Sequence, residues 1–222
     1  VGVYSSPHLL RYNERVQIEG VEVSDELLCE AFAALDAGRG ETSLTYFEMG
    51  TLAAFWLFER AQLDAVVLEV GLGGRLDAVN LVDADLALVT SIGVDHIEYL
   101  GNTRESVAFE KAGIFRAGKP ALCGDLNPPQ TLLDKAAELG CPLFLRGRDF
   151  DLASTDQVWH WRGQDARGQL IELRDIPLLD LPMENAALAV QAYALTDLSW
   201  QPERIVAALA GTRITGRLDR RQ

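Results

Sequence analysis

The chain has 222 residues, 48% of them hydrophobic and 24% charged, which is ordinary globular composition with room for a sizeable core. Its net charge of -13, from 33 acidic against 20 basic residues, disfavours nucleic acid and anionic membranes as partners. No apolar run nears the roughly 20 residues of a membrane span, the first residues lack the pattern of a signal peptide, and three cysteines without metal spacing fit free thiols in a reducing cytoplasm.

Along the chain, Val1 to Tyr4 reads as a short buried strand and Glu14 to Ile18 as a second, closed by Gly20. Ser24-Asp25-Glu26 is a helix start, a capping serine followed by acids that suit the positive end of the dipole. Leu28, Phe32 and Leu35 then share one helical face, and Gly38 and Gly40 end the helix. Thr45 to Arg60 is apolar on nearly all sides and long enough for a buried helix. Ala65 to Val70 and Asp85 to Thr90 are continuous β-branched and leucine runs, expected as parallel strands covered on both faces.

Thr103 to Phe115 is the next helix, capped by Asn102 or Thr103. A strand (Pro120 to Cys123), a helix (Pro129 to Leu139) and a strand (Pro142 to Leu145) follow. Asp149 to Leu173 is polar and broken, with Trp159 and Trp161 alternating as in an antiparallel hairpin. Helical patterning returns at Pro182 to Leu198 and Pro202 to Ala210. The alternation predicts an α/β fold, a mostly parallel sheet flanked by helices with a small antiparallel hairpin region.

In such a sheet ligands bind beyond the carboxyl ends of the strands. Three loops there carry chemistry: Ser5-Ser6-Pro7-His8, Gly71 to Asn80, and Ser91 to His96, with Glu69 at the end of its strand. A dinucleotide fingerprint fails because Leu76 stands at the third glycine position. A serine hydrolase lacks the nucleophile elbow. A hydroxyl, a carboxylate and an imidazole (Ser6, Glu69, His96) suit a cation site better. Oxygen ligands favour Mg²⁺, while His96 leaves Mn²⁺ equally open.

The segments VGVYSSPHLLRYNERVQI, LTYFEMGTLAAFWLF, LEVGLGGRLDAVNLV, TSIGVDHIEYLG and FEKAGIFR, in that order, resemble successive signatures of the folylpolyglutamate synthase family, relatives of the Mur ligases. ENAALA and TGR resemble later landmarks, and the likeness is nearest to the bacterial bifunctional members. It implies an ATP-dependent ligase that phosphorylates a carboxylate of dihydropteroate or a folate and couples it to glutamate. By that resemblance Ser6, Glu69 and His96 correspond to magnesium ligands, and Lys111 to a lysine that becomes carbamylated. Thr45, Tyr46, Phe47, Glu48, Leu76, Asp77 and Ala78 correspond to the pterin side of the pocket, and Asn185 and Arg217 to ATP contacts. Residues 1–217 are expected to form the central domain of a cytoplasmic, monomeric enzyme. Residues 218–222 would begin the linker to a glutamate-ligase domain.

The family's phosphate-binding loop, expected ahead of VGVYSSPH, does not occur in the 222 residues, and Thr215 and Leu218 replace the Pro and Phe usual around TGR. The 222 residues alone are therefore expected to be inactive. The other expectation left standing is a pterin-binding module of the same fold without catalysis.

Overall fold

Short strands laid side by side set the architecture of this computed structural model, which describes residues 1–196 and 198–212. Contacts divide the chain after Val82 into two units. In the first, β1 (Gly2–Tyr4) pairs in parallel with β4 (Val66–Leu68) and antiparallel with β2 (Val16–Ile18), which continues to β3 (Val21–Glu22). The helices are α1 (Asp25–Arg39) and α2 (Tyr46–Ala61). Ser24 caps α1 by accepting from Leu27 N–H at 3.3 Å. At α2, Thr45 Oγ1 accepts from Glu48 N–H at 3.2 Å and Glu48 Oε2 from Thr45 N–H at 2.7 Å, a reciprocal capping box.

The buried face of α2, with Ala53, Ala54, Leu57 and Phe58, covers Tyr4 and Val16. Tyr4 is wholly buried, and its hydroxyl accepts from Thr51 Oγ1 at 3.2 Å. Glu14, expected in a strand, instead belongs to a 3-10 turn (Tyr12–Arg15) before β2. Its carboxylate accepts from the amides of Leu9, Leu10 and Arg11 at 2.7–2.8 Å, which favours a turn over extension. The run Ala65 to Val70 was expected to be covered on both faces. Among the described residues β4 instead ends its sheet, and Val66 and Val67 are 43% and 58% exposed.

In the second unit β5 (Ala87–Val89), β6 (Ala121–Cys123) and β7 (Leu143–Leu145) form a parallel sheet in that order. Between β5 and β6 run α3 (Ile97–Leu100) and α4 (Arg104–Ala112), and α5 (Gln130–Glu138) joins β6 to β7. Thr103 caps α4, its Oγ1 accepting from Ser106 N–H at 3.1 Å. The expected hairpin is a three-stranded antiparallel sheet, β8 (Asp151–Ser154), β9 (Val158–Gln164) and β10 (Leu170–Pro177).

Helices α6 (Met183–Ala194) and α7 (Pro202–Gly211) follow. Trp159 and Trp161 alternate inward along β9 and are fully buried, each satisfying its indole N–H on a carbonyl, that of Pro177 and that of Ala187, both at 3.1 Å. Gln191 of α6 donates to Gln164 C=O at 2.7 Å and accepts from Gln164 N–H at 3.2 Å, locking α6 onto β9. No helix among the described residues is long and apolar enough to cross a membrane.

Candidate functional site

Parallel pairing of β1 with β4 puts the ends of both strands side by side, since Tyr4 is in register with Leu68. The ladder runs one step further, with Glu69 N–H donating to Tyr4 C=O at 2.9 Å. Ser6 and Glu69 therefore meet: Ser6 N–H donates to Glu69 Oε2 at 2.9 Å. Glu69 Oε1 has no bonded partner among the described residues. A serine hydroxyl and a half-engaged carboxylate are oxygen donors that fit a hard divalent cation. No group of three or more His, Cys, Asp or Glu that could hold a metal occurs among the described residues.

The glycine loop beyond β4 is built around Asp77. Its Oδ2 accepts from Gly71 and Leu72 N–H at 3.0 Å each, and its Oδ1 from Val79 N–H at 2.9 Å. Gly73, at φ 69°, supplies the left-handed backbone the turn needs. A cavity of about 400 Å³ opens beside this loop, lined in part by Glu48, Leu76, Asp77 and Ala78. Four of the seven residues matched to the pterin side thus share one pocket.

The other three lie elsewhere in the same unit. Thr45 caps α2. Phe47 lies beneath Gly71, where a methyl group would come within 2.7 Å of its ring, and its centroid is 6.1 Å from that of Tyr4. Tyr46 is exposed and sits edge-on to Tyr12 at 5.7 Å, with the Arg15 guanidinium 5.6 Å from its ring. The carboxylates of Glu48 and Asp77 both hold backbone amides. Capping by the Thr45 amide keeps the Glu48 carboxyl below its usual pKa.

Sequence reasoning passed over Arg75, Thr51 and Asn80, which line the same cavity. Arg75 and Asn80 stand inside the glycine loop, which was the signal available. Arg15 was also missed. It is 8% exposed, stacks against Tyr12 and Tyr46, and donates through Nε to His8 Nδ1 at 2.8 Å.

In the second unit His96 follows β5 with φ 49° and ψ 49°, a left-handed conformation uncommon outside glycine. Its side chain is exposed, and Nε2 is 3.8 Å from Asp95 Oδ2. Lys111, near the end of α4, is half-buried, and burial pushes its pKa down. Among the described residues nothing engages its ammonium in a hydrogen bond or ion pair. Asn185 is exposed in the first turn of α6. Arg217 lies outside the described residues.

The profile of the Mur ligase middle domain matches residues 22–144, more than half of the chain. The chain belongs to the Mur ligase middle-domain family. The chain is 49% identical over 217 residues to the dihydrofolate synthase/folylpolyglutamate synthase of Escherichia coli strain K12, covering 98% of the chain and 50% of that protein. The protein of the same name from Haemophilus influenzae is 50% identical over 206 residues, covering 92% of the chain and 46% of that protein. Among solved structures, E. coli FolC in complex with DHPP and ADP matches with a TM-score of 0.92 at 48% identity, covering 98% of this chain and 51% of that one. The bifunctional Yersinia pestis enzyme complexed with AMPPNP and Mn ion gives 0.91 at 47%, with 98% and 52% covered. The chain thus spans about half the length of the curated relatives it matches.

Proposed function

We propose that these residues are the central part of an ATP-dependent ligase that adds L-glutamate to dihydropteroate, giving dihydrofolate, and to folates, giving polyglutamates. The observation that carries the proposal is the pocket beside the glycine loop, where Glu48, Leu76, Asp77 and Ala78 converge. Near-complete coverage of the chain by an E. coli structure holding DHPP and ADP supports it.

Residues 1–217 act as one central domain, with 218–222 leading into the linker to a glutamate-ligase domain. The complete protein works in the cytoplasm as a monomer.

The chemistry proceeds by transfer of the γ-phosphoryl group of ATP to the pterin substrate's carboxylate. The glutamate amine then attacks the resulting acyl phosphate and displaces phosphate. Little covalent work falls to the protein, so positioning and electrostatics dominate. Ser6, Glu69 and His96 would hold Mg²⁺ or Mn²⁺, and the bound cation would supply positive charge to offset that of the phosphoryl group in transfer. Asn185 and Arg217 contact ATP. Tyr46 and Phe47 present the aromatic side of the pterin site, Thr45 and Glu48 its polar side.

Lys111 suits a further step. Its depressed pKa leaves more of the amine neutral, and a neutral amine adds CO₂ to give a carbamate with release of one proton. The product is an anion where a cation stood, with oxygens to offer a metal. The 222 residues alone contain no phosphate-binding loop with a terminal Lys-Ser or Lys-Thr, and are proposed to be inactive by themselves.

The test is turnover by the full-length protein. ADP release that requires ATP, a divalent cation, dihydropteroate and glutamate together supports the ligase. Pterin binding without ADP release would favour the non-catalytic module.

A further inference from the structure

Three segments of the second unit meet at one ion pair to which the catalytic scheme above assigns no task. Asp125, two residues beyond β6, has a side chain only 14% exposed. Its Oδ2 accepts from Arg104 Nη2 at 2.7 Å and from Ile92 N–H at 3.0 Å, and its Oδ1 from Asn127 N–H at 2.9 Å. Arg104 is the first residue of α4. Its Nε donates to Ile92 C=O at 2.9 Å and its Nη2 also to Asn127 C=O at 3.0 Å. One pair of side chains thus holds both backbone polar groups of Ile92, the buried residue at the start of the His96 loop.

The sequence positions give this pair its reach. Ile92 stands four residues before His96, which is held at a positive φ that a non-glycine residue keeps only where its surroundings constrain it. Arg104 stands seven residues before Lys111, so the two share a face of α4 about 10 Å apart along its axis. A planar guanidinium reaches the carbonyl through Nε and the carboxylate through Nη2 in a fixed fork, a geometry that the single nitrogen of a lysine does not reproduce.

We propose that Arg104 and Asp125 are positioning residues, which fix the loop of His96 to the start of the helix of Lys111 and so set the places of these two cation-handling residues. The proposal rests on the ligase function, since that function is what gives His96 and Lys111 a task.

Two conservative variants of the full-length protein test it. Asp125→Asn keeps the shape but turns an amide NH₂ toward donors, and Arg104→Lys keeps the charge but loses the fork. In both, the half-saturating Mn²⁺ concentration should rise and kcat fall, roughly tenfold to a hundredfold. The KM for dihydropteroate should stay at the wild-type value, because its pocket lies in the first unit. Amide hydrogen exchange across residues 91–97 should speed up, and that across 66–82 should not. A lowered melting temperature beside an unaltered Mn²⁺ titration would mean a purely structural pair and overturn the proposal. Unchanged exchange at 91–97 would overturn it as well. A wild type without ATP- and glutamate-dependent turnover would instead remove the ligase function, and this role with it.

Discussion

Replacing Asp77 separates its structural task from any contact with a ligand. Its two oxygens accept three amides of the glycine loop at 2.9–3.0 Å, and two of these hydrogen bonds are partly buried. Hydrogen bonds to a charged acceptor contribute about 1.5–3 kcal/mol each, but an amide that regains water recovers much of that. Counting mainly the two shielded amides, Asp77→Ala should lower the stability of the full-length protein by about 2–4 kcal/mol. Asp77→Asn is the sharper probe. An oxygen turned toward Gly71 and Leu72 leaves the NH₂ facing Val79 N–H, and the flipped rotamer abandons the other two. It should therefore lose about 1.5–3 kcal/mol, most of the alanine effect, despite its matching shape. Urea unfolding of the three proteins, read at constant slope, measures this. An asparagine variant within about 0.5 kcal/mol of wild type would refute the claim that this carboxylate organises the loop.

Gly71→Ala should destabilise by about 1–3 kcal/mol, because the new methyl would lie 2.7 Å from the Phe47 ring. Gly38→Ala, with open space around it in α1, should be neutral or stabilising by up to about 1 kcal/mol, and thermal melts of both variants check the contrast. Acid should unfold the protein through carboxylates that hold amides. The Glu14 pKa lies below its usual 4.5 because the amides of Leu9, Arg11 and Leu10 bond the charged form; Glu48 is lowered likewise by the Thr45 amide, and Glu105 by the Thr131 hydroxyl and then the Thr131 amide. Folded values below unfolded ones mean that this stabilisation is present above about pH 4.5 and is lost as pH falls through the folded values. Glu14→Gln should flatten that acid limb in a pH series of unfolding curves. Lys111→Ala in the full-length protein should collapse turnover, and stripping dissolved CO₂ should slow the wild type until bicarbonate is restored. Near-normal turnover by Lys111→Ala would rule out the carbamate.

Helix starts were legible in the sequence because a cap is a local device. Ser24 announces the helix it caps, Thr103 proves to be the cap where Asn102 was equally expected, and Trp159 and Trp161 announce an inward-facing strand, while the helix after Thr45 was legible from its apolar length. Ser6 and Glu69 were legible as neighbours because parallel strands end together. Sheet order was not legible: the apolar run at Val66 and Val67 is the same whether a strand lies inside a sheet or at its end. Nor did the sequence reading recover how two carboxylates spend their oxygens: the Thr45-x-x-Glu48 spacing of a capping box was there to be read and was passed over, whereas the three amides that Asp77 holds are set by the turn of the glycine loop. The Arg104–Asp125 pair spans 21 residues, and no periodicity reports it.

The most direct test of the central claim is product formation by the full-length protein supplied with Mg-ATP, dihydropteroate and labelled glutamate. The ligase account predicts dihydrofolate carrying the label, with one ADP released for each glutamate joined. ADP formed without incorporated glutamate, or dihydropteroate bound without ADP release, would contradict it.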